Sequence, residues 1–206
     1  MNILVIIEHK NGVMHRMSKE AIAGAQKIGG NITALVIGEN SDPVVDELSS
    51  FQIQKTLLVT DQKVTSYNVD GYKEIILKVV KVVNPEFIIT GHTYQARDFM
   101  PRLSASLDIP FIPDLVSIEN SSYTKQIMNS KLNASISSSN GPVLISFQSA
   151  SFSEENISKG SSPLEKFEVD LDASNIRSTV DEPFQESASE VDLESAELIV
   201  SVGRGI

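Results

Sequence analysis

The chain has 206 residues, 41% of them hydrophobic, which is enough for an ordinary core and suggests one domain plus an appendage. No apolar run approaches the roughly 20 residues a membrane helix needs, and the absence of cysteine excludes disulfides, thiolate catalysis and cysteine-based metal sites. The net charge of −10 is uneven: residues 1–150 carry 14 acidic and 13 basic side chains and residues 151–206 carry 13 and 4, so the near-neutral body argues against a nucleic-acid-binding surface.

In chain order, residues 2–8 read as a central parallel strand. The first apolar run is short and follows no basic region, so no secretory signal is read and a cytoplasmic location is expected. Residues 18–28 predict a helix with Ala21, Ile22, Ala25 and Ile28 on one stripe, ended by Gly29-Gly30. A second strand at 31–38, a short helix within 42–50 and a third strand at 55–60 follow. Asp70 is a candidate cap for a helix in which Tyr72, Ile75, Ile76, Val79, Val80 and Val83 recur at helical spacing, and Pro85 marks its break. Residues 87–90 form the next buried strand, then a polar loop spans 91–96. The following helix is expected to begin near Asp98, with that carboxylate as its cap, Pro101 in its first turn and Met100, Leu103 and Leu107 on one face. Strands alternating with helices predict a parallel sheet with right-handed crossovers. Loops at the carboxyl ends of such strands carry the site, so binding is expected near Gly91–Asp98.

After Asp114 the pattern shortens. Residues 115–119, 123–128, 131–137 and 142–147 read as a meander or hairpin set with Asn/Ser and Asn140-Gly141 turns. Residues 151–195 read as an acidic linker with one strand at 164–169, and its acidity as solvation of a poorly ordered segment. Residues 196–202 are strand-like again and lead into Gly203-Arg204-Gly205.

Chemistry-bearing residues are few. His9 and His15 flank the end of the first strand and His92 sits in the ligand-facing loop, without the clustered spacing of a metal site. Gly91-His92-Thr93 fits either close approach of a phosphate or partner at a helix N-terminus, or a tight strand-to-helix turn. Arg97-Asp98 is a candidate contact for a cofactor or neighbouring domain, or else a solvated residue and a cap, and Arg102 is expected in an ion pair. No acid/base or nucleophile constellation stands out, and no GxGxxG occurs.

Gly91 and Thr93, Arg97-Asp98, Pro101-Arg102-Leu103, Leu107-Asp108 and the following IPFIPDLVSIE together resemble the N-terminal domain of the electron transfer flavoprotein alpha subunit. The resemblance implies an α/β fold, a three-layer doubly wound mostly parallel sheet of the adenine nucleotide alpha hydrolase-like kind, with an added antiparallel hairpin region. It implies an electron carrier rather than an enzyme, paired as a heterodimer with a beta subunit. Such a carrier takes electrons from acyl-CoA-type and related dehydrogenases, as in fatty acid beta-oxidation, through FAD toward a quinone reductase, without nucleic acid or membrane contact. By the same resemblance Gly203, Arg204 and Gly205 correspond to the loop that opens the FAD domain, with Val202 where the family has a further glycine. That domain is expected to be missing here, so that residues 1–150 are the N-terminal domain, 196–206 only its successor's first strand, and FAD needs the missing part. Gly91, Thr93 and Arg97 complete the cofactor-side candidates. Two departures are visible: Lys125–Ser130 keeps only a basic residue of a longer family run, and Phe147-Gln148 lacks an expected arginine. The alternative is a free-standing nucleotide-binding or structural interaction domain of the same fold.

Overall fold

Five consecutive apolar residues after Asn2 bury both faces of the first strand, and the sheet grows outward from it on either side. The computed structural model describes residues 1–119, 122–138, 141–181 and 198–205. Its elements are β1 (Asn2–Ile7), β2 (His9–Lys10), β3 (Val13–Met14), α1 (Arg16–Ile28), β4 (Asn31–Ile37), α2 (Asp42–Leu48), β5 (Lys55–Val59), α3 (Val69–Val83), β6 (Phe87–Gly91) and α4 (Tyr94–Leu107). They continue with β7 (Phe111–Glu119), β8 (Ser122–Ile127), β9 (Leu132–Ser137), β10 (Val143–Phe147) and β11 (Leu164–Lys166). Nine strands form one sheet in the order β11-β5-β4-β1-β6-β10-β7-β8-β9, parallel from β11 to β7 and antiparallel through β8 and β9. β2 and β3 make a separate small hairpin.

Helices cover both faces, as the two halves of the core show. Ile3, Val5 and Ile7 pack with Ala21, Ile22 and Ala25 of α1 on one side. Leu4 and Ile6 pack with Ile75, Ile76 and Val79 of α3 and Phe99, Met100 and Leu103 of α4 on the other. This is the expected α/β architecture, doubly wound and mostly parallel, with the antiparallel addition at one edge.

Several expectations need correcting. α4 begins five residues before the predicted start, because the Thr93 side chain, not Asp98, caps it by accepting from the Ala96 N–H at 3.0 Å. Pro101 therefore sits inside the helix, where its missing N–H leaves the Arg97 carbonyl without its helical donor. α3 is likewise capped by Asn68, which accepts from the N–H groups of Asp70 and Gly71, while Asp70 is inside the first turn. β7 begins at Phe111, four residues before the strand expected at 115–119, and runs unbroken through Pro113 and Asp114.

The largest difference is β10. Its five residues are all buried, and it inserts in parallel between β6 and β7 instead of closing a meander. A continuous apolar run such as Val143–Phe147 suits a strand covered on both faces, whereas alternation marks β8 and β9.

The stretch read as a linker also begins as part of the body. Gln52 donates to the Ser158 carbonyl, Gly160 to Ser50 and Phe167 to Leu58, and β11 pairs in parallel with β5. Phe167, Val169 and Leu171 turn inward at every second residue, with Leu171 fully covered, while Glu168, Asp170 and Asp172 face solvent. Acidity here belongs to the wet face of an edge segment. Residues 182–197, most of the remaining acidic stretch, and Asn140 of the predicted turn lie outside the described residues. Leu198–Val202 shows no strand and its aliphatic side chains are exposed, since no neighbouring strand offers a ladder.

Candidate functional site

Chain order turns around β1, whose neighbours β4 and β6 lead to opposite edges of the sheet. The crevice outside the carboxyl ends of strands at such a reversal is where open α/β sheets bind ligands. Glu8 leaves β1 at this point and Gly91-His92-Thr93 leaves β6, so the stretch singled out in the sequence does fall at the switch point.

The side chains there are largely engaged with one another. Thr93 Oγ1 donates to Glu8 Oε2 at 2.5 Å while accepting the cap bond from Ala96. Glu8 also meets α1 through its main chain, donating to Ser18 Oγ at 2.8 Å. Gly91 lies against the first turn of α1: a Cβ built on it would stand 2.5 Å from Met17 Cβ and 3.0 Å from the Met17 carbonyl oxygen. The start of α1 thus packs directly against the carboxyl end of β6, while Glu8, Met17, His92 and Thr93 stay partly exposed. For Gly91 and Thr93 the tight-turn reading has direct geometric support.

His92 is half-buried, with Nδ1 2.8 Å from Ser146 Oγ and its main-chain N–H donated to the Phe147 carbonyl. Burial lowers its pKa, with Asp114 opposing that shift and Arg97 and Lys125 adding to it. The ring is therefore favoured neutral. His9 is also held neutral by burial, against smaller opposing effects of the Ile37 carbonyl and Glu8. Its Nε2 lies 3.1 Å from the Ile37 carbonyl and 3.3 Å from Ser41 Oγ, tying the loop after β1 to the loop after β4. His15 caps α1, its Nδ1 accepting from the Met17 N–H. Each histidine thus has a positioning role within the fold, and among the described residues no cluster of three metal-ligating side chains occurs.

Arg97 and Asp98 diverge. Arg97 is exposed, its guanidinium 5.5 Å from the centroid of the exposed Tyr94 ring. Asp98 faces the loop before α3, accepting the Tyr67 hydroxyl at 3.0 Å, and meets Arg102 Nε at 3.5 Å. Burial and the neighbouring Asp98 carboxylate raise the Tyr67 pKa, and burial pushes Tyr72 up to about 12. Arg102 makes the expected ion pair, one turn away along the same helix. Gly203, Arg204 and Gly205 are exposed, with nothing within 4 Å of a Cβ built on either glycine. The structure brings Gly91 and Thr93 together and leaves Arg97 beside them on the surface.

Sequence reasoning did not single out Glu8 and Ser146. Glu8 was signalled by an acidic residue closing an apolar strand, and Ser146 by one hydroxyl inside an otherwise apolar five-residue run. Clefts at this edge lie elsewhere: one of about 470 Å³ is lined by Glu39, Thr60, Asp61, Gln62 and Lys63, and one of about 420 Å³ opens between residues 62–68 and 173–180. Neither is lined by Gly91, Thr93 or Arg97.

Comparison with known proteins gives the lineage. Residues 3–172 match the family described as "Electron transfer flavoprotein domain". The chain is similar to the electron transfer flavoprotein subunit alpha of Bacillus subtilis, 29% identical over 212 residues covering 99% of this chain and 64% of that protein. Similarity extends to the proteins of the same name from Syntrophomonas wolfei, at 24% identity over 98% of this chain and 64% of that protein, and Pseudomonas aeruginosa, at 26% over 100% and 66%. The chain thus spans under two thirds of the length of the first two relatives. With its doubly wound sheet and a family match over residues 3–172, the chain belongs to the electron transfer flavoprotein domain family.

Proposed function

We propose that this chain is the N-terminal part of an electron transfer flavoprotein alpha subunit, a carrier component and not an enzyme. It packs against a beta subunit and supports a segment that binds FAD. Through FAD the assembly passes electrons from acyl-CoA-type dehydrogenases toward a quinone reductase, in the cytoplasm. The observation that carries this reading is the family match over residues 3–172 on a chain spanning 64% of its relative's length.

Gly203, Arg204 and Gly205 are exposed, with nothing within 4 Å of a Cβ built on either glycine. In the proposal they open an FAD-binding segment that further residues complete, residues 196–206 supplying its first strand and loop. On the cofactor side, Arg97 and its Tyr94 platform are the exposed contact for that segment, on a turn that Gly91 and Thr93 set. FAD, when bound, supplies the one- and two-electron chemistry, and this chain supplies position and electrostatics. Co-expression with the neighbouring beta subunit, followed by size-exclusion chromatography, tests the pairing. Co-elution in a single peak is expected, and two independent peaks would oppose the reading.

A further inference from the structure

Past β11 the chain crosses to the carboxyl edge of the sheet as a strap of residues 167–178, and side chains of the body hold it there by its main chain. Lys78 Nζ donates to the Asp170 carbonyl, and Lys63 Nζ donates to the Leu171 carbonyl at 2.7 Å. Asn68 Nδ2 donates to the Ser178 carbonyl at 2.8 Å and lies 3.1 Å from its hydroxyl. Asp70 Oδ2 accepts from the Arg177 N–H at 3.1 Å. Asp70 is 5% exposed, and among the described residues no cation lies within ion-pairing distance of it. A buried carboxylate needs hydrogen-bond donors, and this one receives a donor from the strap. Asn68 serves twice, its oxygen capping α3 and its amide holding residue 178.

We propose that Asn68 and Asp70 form a latch that docks residues 177–178 at the N-terminus of α3, so that the strap is held at one fixed point on the carboxyl edge. The latch takes hold of the Arg177 N–H, the Ser178 carbonyl and the Ser178 hydroxyl, and both residues are exposed overall. The strap buries Leu171, half-buries Ile176 beside Gly71, and borders a cleft of about 420 Å³ together with Gln62, Thr65 and Asn68. Undocking returns both latch side chains to water, which limits what docking gains. The inference rests on contacts within this chain and does not depend on the flavin reading.

Trypsin tests it on the full chain, because the Arg177–Ser178 bond is cleavable only when the main chain there is released. Wild-type protein should be cut at Arg177 far more slowly than a free peptide of residues 170–181. Asp70→Ala should speed that cut roughly tenfold, in line with loss of a hydrogen bond to a charged group, with cleavage at Lys159 and Lys166 unchanged. Asn68→Ser keeps a capping oxygen but removes the amide donor, and should accelerate the same single site. If Asp70→Ala accelerates every site through general unfolding, Asn68→Ser decides. A wild-type rate in Asn68→Ser, or wild-type protein cut at Arg177 as fast as the peptide, would overturn the latch.

Discussion

Gly91→Ala is the substitution that separates a packing role for this glycine from a ligand-facing one. The added methyl would stand 2.5 Å from Met17 Cβ and 3.0 and 3.1 Å from the Met17 carbonyl oxygen and carbon, where carbon–carbon contacts are favourable only at about 3.5–4.0 Å. Roughly 1 Å of movement is therefore required. β6 cannot supply it cheaply, being paired on one side with β1 and on the other with β10. α1 cannot either, because Ser18 ties its first turn to both main-chain atoms of Glu8. Overpacking of this kind costs about 1–3 kcal/mol, and the lower unfolded-state entropy of alanine returns about 0.4–1 kcal/mol. A net loss of about 1–2 kcal/mol lowers Tm by about 2–8 °C at this chain length. Thermal unfolding followed by circular dichroism measures it, with Gly203→Ala as the comparison, since a Cβ at 203 meets nothing within 4 Å. Equal midpoints for the two variants would refute the packing account.

Thr93→Ala removes both the α4 cap and the bond to Glu8, and should lower stability by about 1–2 kcal/mol in urea unfolding; Thr93→Ser should recover most of it. Gly24→Ala would put a methyl 2.3 Å from the buried Phe147 ring; overpacking of about 1–3 kcal/mol should exceed the gain of about 1 kcal/mol in helix propensity, leaving the variant less stable. His9 and His92 have folded pKa values below the ordinary 6.5, so the unfolded chain binds more protons as pH falls through 6.5. Stability should then decline from that pH downward until the folded values are reached. His92→Gln should flatten part of the decline when unfolding is measured between neutral and mildly acidic pH.

Much of the architecture was legible because strand and helix periods differ. The 3.6 spacing from Tyr72 to Val83 and the apolar runs of β1, β4 and β5 each point to one element type, and their alternation dictates a parallel sheet. Where β10 belongs was not legible, because its neighbours β6 and β7 are set by tertiary packing, even though its unbroken apolar run carried the hint. Helix starts were misread for a local reason: Asp70 and Asp98 are good capping types, but Asn68, two residues before the one, and Thr93, five before the other, took the N–H groups first. At the candidate site, Gly91 and Thr93 were visible as a strand-to-helix turn. That Met17 fills the space above Gly91 depends on how α1 crosses β6, which no local pattern encodes. Period-two inward placement of Phe167, Val169 and Leu171 was present in the sequence, but the charges between them made the segment look like linker.

A visible absorption spectrum of the protein purified together with its native neighbours tests the central claim most directly. The account predicts oxidised-flavin bands that travel with this chain and a second polypeptide. A colourless preparation in which this chain runs alone would contradict it.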